Sequence, residues 1–210
     1  MTKQESNSLL ITPSLLNSWA YTWLAGDNVR EAEADEICIE DKRDLARKKA
    51  LEEFLKTLNR EPIPTNEAMQ RGIQYEEDTY KGLTEASPYV EGGAFQIVGK
   101  KTEIIQGQEF LLYGRLDCLK GGIIYDIKRV SQYKVQKYLH SYQHGFYMDL
   151  FPTAKEFTYL VFDGNKLHQE TYYRNQYKPT IAVVNEFINW LRTHDLLELY
   201  EEKWKARKEK

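Results

Sequence analysis

Residues 113–128 read YGRLDCLKGGIIYDIK. Asp117, Asp126 and Lys128 interrupt two runs that otherwise suit a buried β-hairpin, and burying unpaired charge is costly. Residues two apart in a strand share a face, so Asp126 and Lys128 point one way while Tyr125 and Ile127 point the other. Counting back from Gly121-Gly122 puts Asp117 opposite or diagonal to Asp126, within reach of one shared ion. Two converging carboxylates beside a lysine suit a hard cation such as Mg²⁺, which binds oxygen at roughly 2.1 Å and keeps several waters. The lysine would orient a water, or hold that water's pKa down, for in-line attack on phosphate. An acidic residue two before a lysine also occurs at Glu40-Asp41-Lys42 and Glu201-Glu202-Lys203, both in charged sequence with no β-type run. A surface hairpin with an Asp126–Lys128 ion pair accounts for the tripeptide equally well.

The flanking segments add polar intrusions. Met69, Ile73, Glu76, Tyr80 and Leu83 are spaced as one helical face, with Glu76 at the centre of an apolar stripe. A glutamate there fits a metal ligand better than a packing role; the alternative is a side chain snorkelling at the stripe's edge. Further on, Gln143 and Tyr147 are four apart and share a face, beside a stripe of Val135, Leu139, Phe146 and Leu150. Gln143 can hydrogen-bond in the site or to a phosphate, and Tyr147 can donate its hydroxyl or stack. His140 and His144 have a spacing that can bind zinc on a helix, but no third ligand is evident nearby. Cys118 should face away from Asp117 as a core thiol.

These residues need a sheet and helices to position them. The chain has 210 residues, 41% hydrophobic and 29% charged, which suits one folded domain. The expected core spans residues 66–175, with a helical part over 1–65 and a closing helix over 177–205. Thr12 and Pro13 open a helix with Leu15, Leu16, Trp19 and Trp23 as its apolar face. A charged helix over 41–58 turns Leu45, Leu51, Leu55 and Leu58 inward. A helix over 66–83, strands in FQIVGK and around Gly121-Gly122, and a helix over 131–151 follow. A hairpin across Asp163-Gly164-Asn165 precedes the closing helix, whose apolar positions include Ile181, Val184, Phe187, Ile188, Leu191 and Leu196. The order predicts an α/β (α+β) domain with a mixed sheet flanked by helices.

The net charge of −3 does not announce a nucleic-acid binder, although basic runs occur at 42–49 and 203–210. There is no stretch of about 18 apolar residues for a membrane span, and the N-terminus does not read as a secretory signal. Cys38 and Cys118 are too few for a disulfide scaffold, so reduced thiols and a cytoplasmic location are expected.

Gly114-Arg115-Leu116-Asp117, Asp126-Ile127-Lys128 and Gln143-His144-Gly145-Phe146-Tyr147 together resemble the PD-(D/E)XK nuclease superfamily. They resemble most its RecB and lambda-exonuclease branch, with a Gln-x-x-x-Tyr motif on the helix after the D-x-K strand. Arg71-Gly72-Ile73-Gln74-Tyr75-Glu76 is similar to that branch's upstream motif, and ITPSLLNSWAYTWL to its opening helix; the resemblance runs over residues 12–164. It implies a sheet core flanked by helices, Mg²⁺ or Mn²⁺, and hydrolysis of DNA phosphodiesters. Glu76, Asp117, Asp126 and the Ile127 carbonyl would be metal ligands, Lys128 would position or activate water, and Gln143 and Tyr147 would orient the site or the DNA. Arg71, Arg115 and Arg129 would extend the grip on the DNA backbone. Some relatives hold an iron–sulfur cluster on four cysteines, and two cysteines do not support one here. The exonucleases of this branch often come from phage and act beside a single-strand annealing protein, and a homo-oligomer is compatible. An endonuclease on the same core, or a nuclease-fold module that binds DNA or a partner without cutting, are the alternatives.

Overall fold

The computed structural model describes residues 8–27 and 36–206, with side chains from residue 40 onward in the second stretch. The side chain of Cys38 and the end of the second basic run lie outside the described residues. The chain forms two compact units.

The first unit comprises residues 1–62, 102–111 and 181–210. Its elements include β1 (Leu9–Ile11), which the sequence pattern does not announce, α1 (Pro13–Asp27) and α2 (Glu36–Leu58). Thr12 Oγ1 accepts from the Leu15 amide at 3.2 Å, as a helix-capping residue does. Among the described side chains of α2 the buried ones are Ala50, Phe54 and Leu58, four apart, while Leu45 is exposed. The closing helix is two helices, α6 (Thr180–Thr193) and α7 (Leu197–Lys203). The break falls at Asp195, whose φ of 56° lies in the left-handed region that ends helices. Phe187, Val184 and Leu191 of α6 are buried as expected, but Ile181 is exposed. Aromatic rings fill this core: Trp19 lies 5.3 Å from Phe187, Phe54 lies 5.5 Å from Trp190, and Trp204 Nε1 donates to the Leu58 carbonyl at 2.8 Å.

The second unit comprises residues 63–101 and 112–180 and holds every candidate site residue. Here lie α3 (Glu67–Tyr80), α4 (Ser87–Val90), β4 (Ile123–Arg129), α5 (Gln143–Leu150), β5 (Glu156–Phe162) and β6 (Leu167–Tyr173). The long strands β2 (Ala94–Ile105) and β3 (Gln108–Lys120) contribute to both units. The strands form a mixed sheet in the order β1-β3-β4-β5-β6, with β2 paired to β3. β4 runs parallel to β5, whereas the β3–β4 and β5–β6 pairs are antiparallel. Gly121 and Gly122 have φ of 60° and 83°, the left-handed pair that a two-residue hairpin turn needs.

Both faces of this sheet are covered. Leu116, Ile124, Phe157, Tyr159 and Val161 pack with Tyr147 and Met148 of α5. On the other face Cys118, Ile127 and Leu160 pack with Tyr75 of α3 and with Ala86 and Val90 at α4. β5 is therefore buried on both sides, which explains its continuous apolar run EFTYLVF.

Two predicted helices differ in the structure. In α3 the buried residues are Tyr75 and Thr79, while Met69 and Ile73, and Leu83 beyond the helix's end, are exposed. The Tyr75 ring stacks on Phe162 at 5.1 Å, and that contact turns the helix about one residue away from the apolar stripe, leaving Glu76 half-buried on its flank. Residues 131–142 are not helical; α5 begins only at Gln143. Glu170 of β6 accepts from the Tyr138 amide at 3.0 Å and the Tyr133 hydroxyl at 2.9 Å, so a distant carboxylate holds backbone that a helix would have used. Val135, assigned to the inner stripe from sequence, is 82% exposed and Leu139 is also exposed.

Gly114 packs against α5: a Cβ there would meet Tyr147 Cε1 at 2.6 Å, whereas one at Gly72 would meet nothing within 4 Å. Gly114→Ala should therefore lower unfolding stability by about 1–3 kcal/mol through overpacking. Gly72→Ala, inside a helix, should be neutral or stabilising by up to about 1 kcal/mol. Urea titrations of the two variants check the contrast.

Candidate functional site

The site starts from an irregularity in β3. The β3–β4 ladder runs from Lys120↔Ile123 to Cys118↔Tyr125, which extrapolates to Asp117 opposite Asp126. Gly114 and Leu116 turn toward α5, yet Cys118 turns toward α4. Strand alternation does not allow that without an extra residue, so β3 changes face at Asp117 as a bulged strand does. Side chains take over hydrogen bonds at this point. Asp117 Oδ2 accepts from the Ile127 amide at 2.8 Å, and the Tyr147 hydroxyl donates to the Arg115 carbonyl at 2.7 Å.

Asp126 is 2% exposed. Gln143 Nε2, on the first residue of α5, donates to its Oδ1. Lys128 Nζ stands 2.7 Å from its Oδ2, and the lysine side chain keeps 33% of its exposure. That ion pair is close but poorly aligned, since Oδ2 receives no hydrogen bond of good geometry. A buried carboxylate oxygen whose neighbouring ammonium is poorly aligned is a place where a second cation is favourable.

Burial raises the Asp117 carboxyl to about 8, reinforced by the nearby charge of Asp126 and opposed by Lys128. Burial likewise raises Asp126, with Lys128 and the Gln143 amide pulling the other way. Burial disfavours the Lys128 charge, but Asp126 and Asp117 outweigh it and hold the ammonium above its ordinary range. Two carboxyls thus face one ammonium, and in the metal-free chain Asp117 answers the crowding by keeping its proton up to about pH 8.

Glu76 approaches from α3. Its Oε1 accepts from the Tyr80 hydroxyl at 2.6 Å and from Gln96 Nε2 at 2.7 Å. Among the described residues no group of three His, Cys, Asp or Glu side chains is gathered closely enough to hold a metal ion. The protein groups that could contribute oxygen are Asp117, Asp126, the Ile127 carbonyl and, from α3, Glu76.

The structure brings Asp117, Asp126, Lys128 and Gln143 together. Tyr147 is 6% exposed, with its ring stacked on Phe157 and its hydroxyl on the Arg115 carbonyl, so it shapes the strand and offers no surface for stacking on a base. Arg115 is exposed, and Arg71 is exposed and paired with Glu67 at 3.4 Å. Arg129 lies on the face opposite Lys128, with its guanidinium 6.0 Å from the centre of the Phe162 ring. His144 is buried, stacked on Tyr172 at 4.1 Å and within 3.2 Å of the Tyr159 hydroxyl, and burial lowers it to about 4. His140 is exposed, so the two histidines do not share a site. Cys118 is a core thiol pushed up to about 11 by burial.

Three residues near the site escape sequence reading. Gln96 sits in β2 with no local signal. Tyr80 follows Glu76 by four, a spacing that does signal contact on a helix, but its ring reads as one more apolar position. Tyr138 stacks on Tyr159 at 4.3 Å, and burial raises its hydroxyl, with Lys128 opposing the rise and Asp126 adding to it.

No protein-family model matches the chain, and no curated protein does. Among solved structures it is similar to the crystal structure of SSO0001, at 15% identity and a TM-score of 0.47, covering 92% of this chain and 79% of that one. It is also similar to the crystal structure of Scheffersomyces stipitis Rai1, at 14% identity and a TM-score of 0.35, covering 89% of this chain and 62% of that one. At these scores neither likeness carries an argument about fold family or activity. No helix among the described residues is long and apolar enough to cross a membrane.

The raised Asp117 carboxyl has a consequence for stability. Below its ordinary value near 4 it is protonated folded and unfolded alike. From there to its folded value of about 8 the unfolded chain releases the proton while the folded chain keeps it. Stability of the metal-free protein should fall as pH rises through that window. Asp117→Asn should flatten the dependence and make the metal-free protein more stable than the parent at pH 8. Urea midpoints from pH 5 to pH 8 check both statements.

Proposed function

We propose that this chain is a metal-dependent DNA nuclease of the PD-(D/E)XK type, nearest in character to the RecB and lambda-exonuclease branch. The observation that carries the reading is the buried Asp126, held by Gln143 on one oxygen and faced by Lys128 at 2.7 Å on the other, with Asp117 beside it at the break in β3. Asp126 Oδ2 lacks a well-aligned donor, and the carboxylates outnumber the one lysine between them; both features fit a divalent cation.

Asp117, Asp126, the Ile127 carbonyl and Glu76 would hold Mg²⁺ or Mn²⁺. When bound, such an ion would polarise a phosphoryl oxygen and lower the pKa of the attacking water, easing loss of its proton. The chain's own residues do the rest. Lys128, pinned by Asp126 and still one-third exposed, presents a fixed ammonium to a water or to the charge that develops on phosphate. Gln143 keeps Asp126 from rotating. Tyr147 fixes the strand that carries Asp117. Arg115, exposed on β3 beside Asp117, offers positive charge to the phosphate backbone.

Action at DNA ends rests on the Gln-x-x-x-Tyr resemblance alone. A second reading, a DNA-binding module that does not cut, is favoured by one observation: Glu76 is engaged by Tyr80 and Gln96 and is not gathered with the aspartates into a three-carboxylate group.

End-labelled linear duplex, closed circular and single-stranded DNA, each with Mg²⁺ or Mn²⁺, separate these readings. Linear duplex should be degraded from an end while closed circles survive. Equal nicking of closed circles would favour an endonuclease, and no cleavage of any substrate would favour the binding module. Lys128→Ala should keep metal binding and lose on the order of 100-fold or more in cleavage rate. Near-normal turnover in that folded variant would reduce Lys128 to an ion-pair partner.

A further inference from the structure

Gln96 adopts a backbone conformation that a non-glycine residue rarely holds, with φ of 54° in the strand β2. Such strain persists where surrounding bonds hold it. Here the bonds are visible: the half-buried side chain donates from Nε2 to Glu76 Oε1 at 2.7 Å and to the Tyr80 hydroxyl at 2.8 Å. The Tyr80 hydroxyl in turn gives its proton to the same Glu76 Oε1 at 2.6 Å, and it lies 3.4 Å from the Asp117 carbonyl. One carboxylate oxygen therefore receives two donors, from a strand and from the next turn of its own helix. The same hydroxyl brings this group up to residue 117.

We propose that Gln96 is a positioning residue for the cation site. With Tyr80 it grips Glu76 by Oε1 alone, so that Oε2 is presented to the ion shared with Asp117 and Asp126. This inference rests on the metal-site reading above and assigns to the strain in β2 a purpose beyond folding. An amide suits the task because it donates to a carboxylate without neutralising it. Ligand-orienting hydrogen bonds of this kind alter metal affinity by about 10–100-fold when removed. Glycine at position 96 would remove the amide and relax the backbone together, which separates positioning from stability.

The test is Mn²⁺ titration calorimetry on the full chain, with urea midpoints of the metal-free proteins measured beside it. Wild type should bind Mn²⁺ and Asp126→Asn should abolish binding. Gln96→Gly should weaken Kd about tenfold with a midpoint equal to or above that of wild type. Tyr80→Phe, which loses the proton given to Glu76, should also weaken Kd. If wild type and Asp126→Asn behave as stated but Gln96→Gly binds as tightly as wild type, or more tightly, the positioning role is wrong while the metal site stands. A Gln96→Gly midpoint that falls together with affinity would make the residue structural and also overturn the inference. No Mn²⁺ binding by wild type would overturn the metal-site reading and this inference with it.

Discussion

Everything at the candidate site depends on β3 leaving β4 at Asp117. A regular ladder would have satisfied the Ile127 amide and the Arg115 carbonyl with backbone partners. Instead a carboxylate and a tyrosine hydroxyl satisfy them. Buried backbone groups must be paired, so the break is stable only because these side chains stand where they do. The gain is an acidic pocket within the sheet, formed where a continuous ladder would have left none. Gly114 belongs to the same device, since it lets the Tyr147 ring lie close against β3.

Charge is the second constraint. Asp117 and Asp126 face one ammonium, and Glu76 adds to the negative field on both. Without a cation the folded chain must keep protons on carboxyls that the unfolded chain would release. The proposed ion replaces those protons, linking the site's chemistry to the protein's own stability. Polar anchors elsewhere hold the pieces in register: Gln143 on Asp126, Gln96 and Tyr80 on Glu76, and Glu170 on Tyr133 and Tyr138.

Local rules made part of this arrangement legible. Strand alternation put Asp126 and Lys128 on one face, and they meet at 2.7 Å. Counting from Gly121-Gly122 put Asp117 opposite or diagonal to Asp126, and the ladder that the two-residue turn sets extrapolates to that neighbourhood. Long-range choices were not legible. The face of α3 was settled by Tyr75 stacking on Phe162, 87 positions later in the chain, and not by the apolar stripe. Residues 131–142 lost their helix to Glu170, which follows Tyr138 by 32 residues. Gln96 reaches Glu76 across 20 residues with nothing in its neighbourhood to announce it. Tyr147, expected to orient the site or the DNA by its hydroxyl or by stacking, is buried in the core with its hydroxyl on the Arg115 carbonyl.

The central claim is that the pocket at the break in β3 is a divalent-cation site. Anomalous scattering from crystals of the wild-type chain grown with Mn²⁺ tests it most directly. The account predicts a peak in contact with Asp117 and Asp126, absent in Asp126→Asn crystals grown the same way. Mn²⁺ found only away from these carboxylates, or a pocket that holds the Lys128 ammonium and no ion at saturating Mn²⁺, would contradict it.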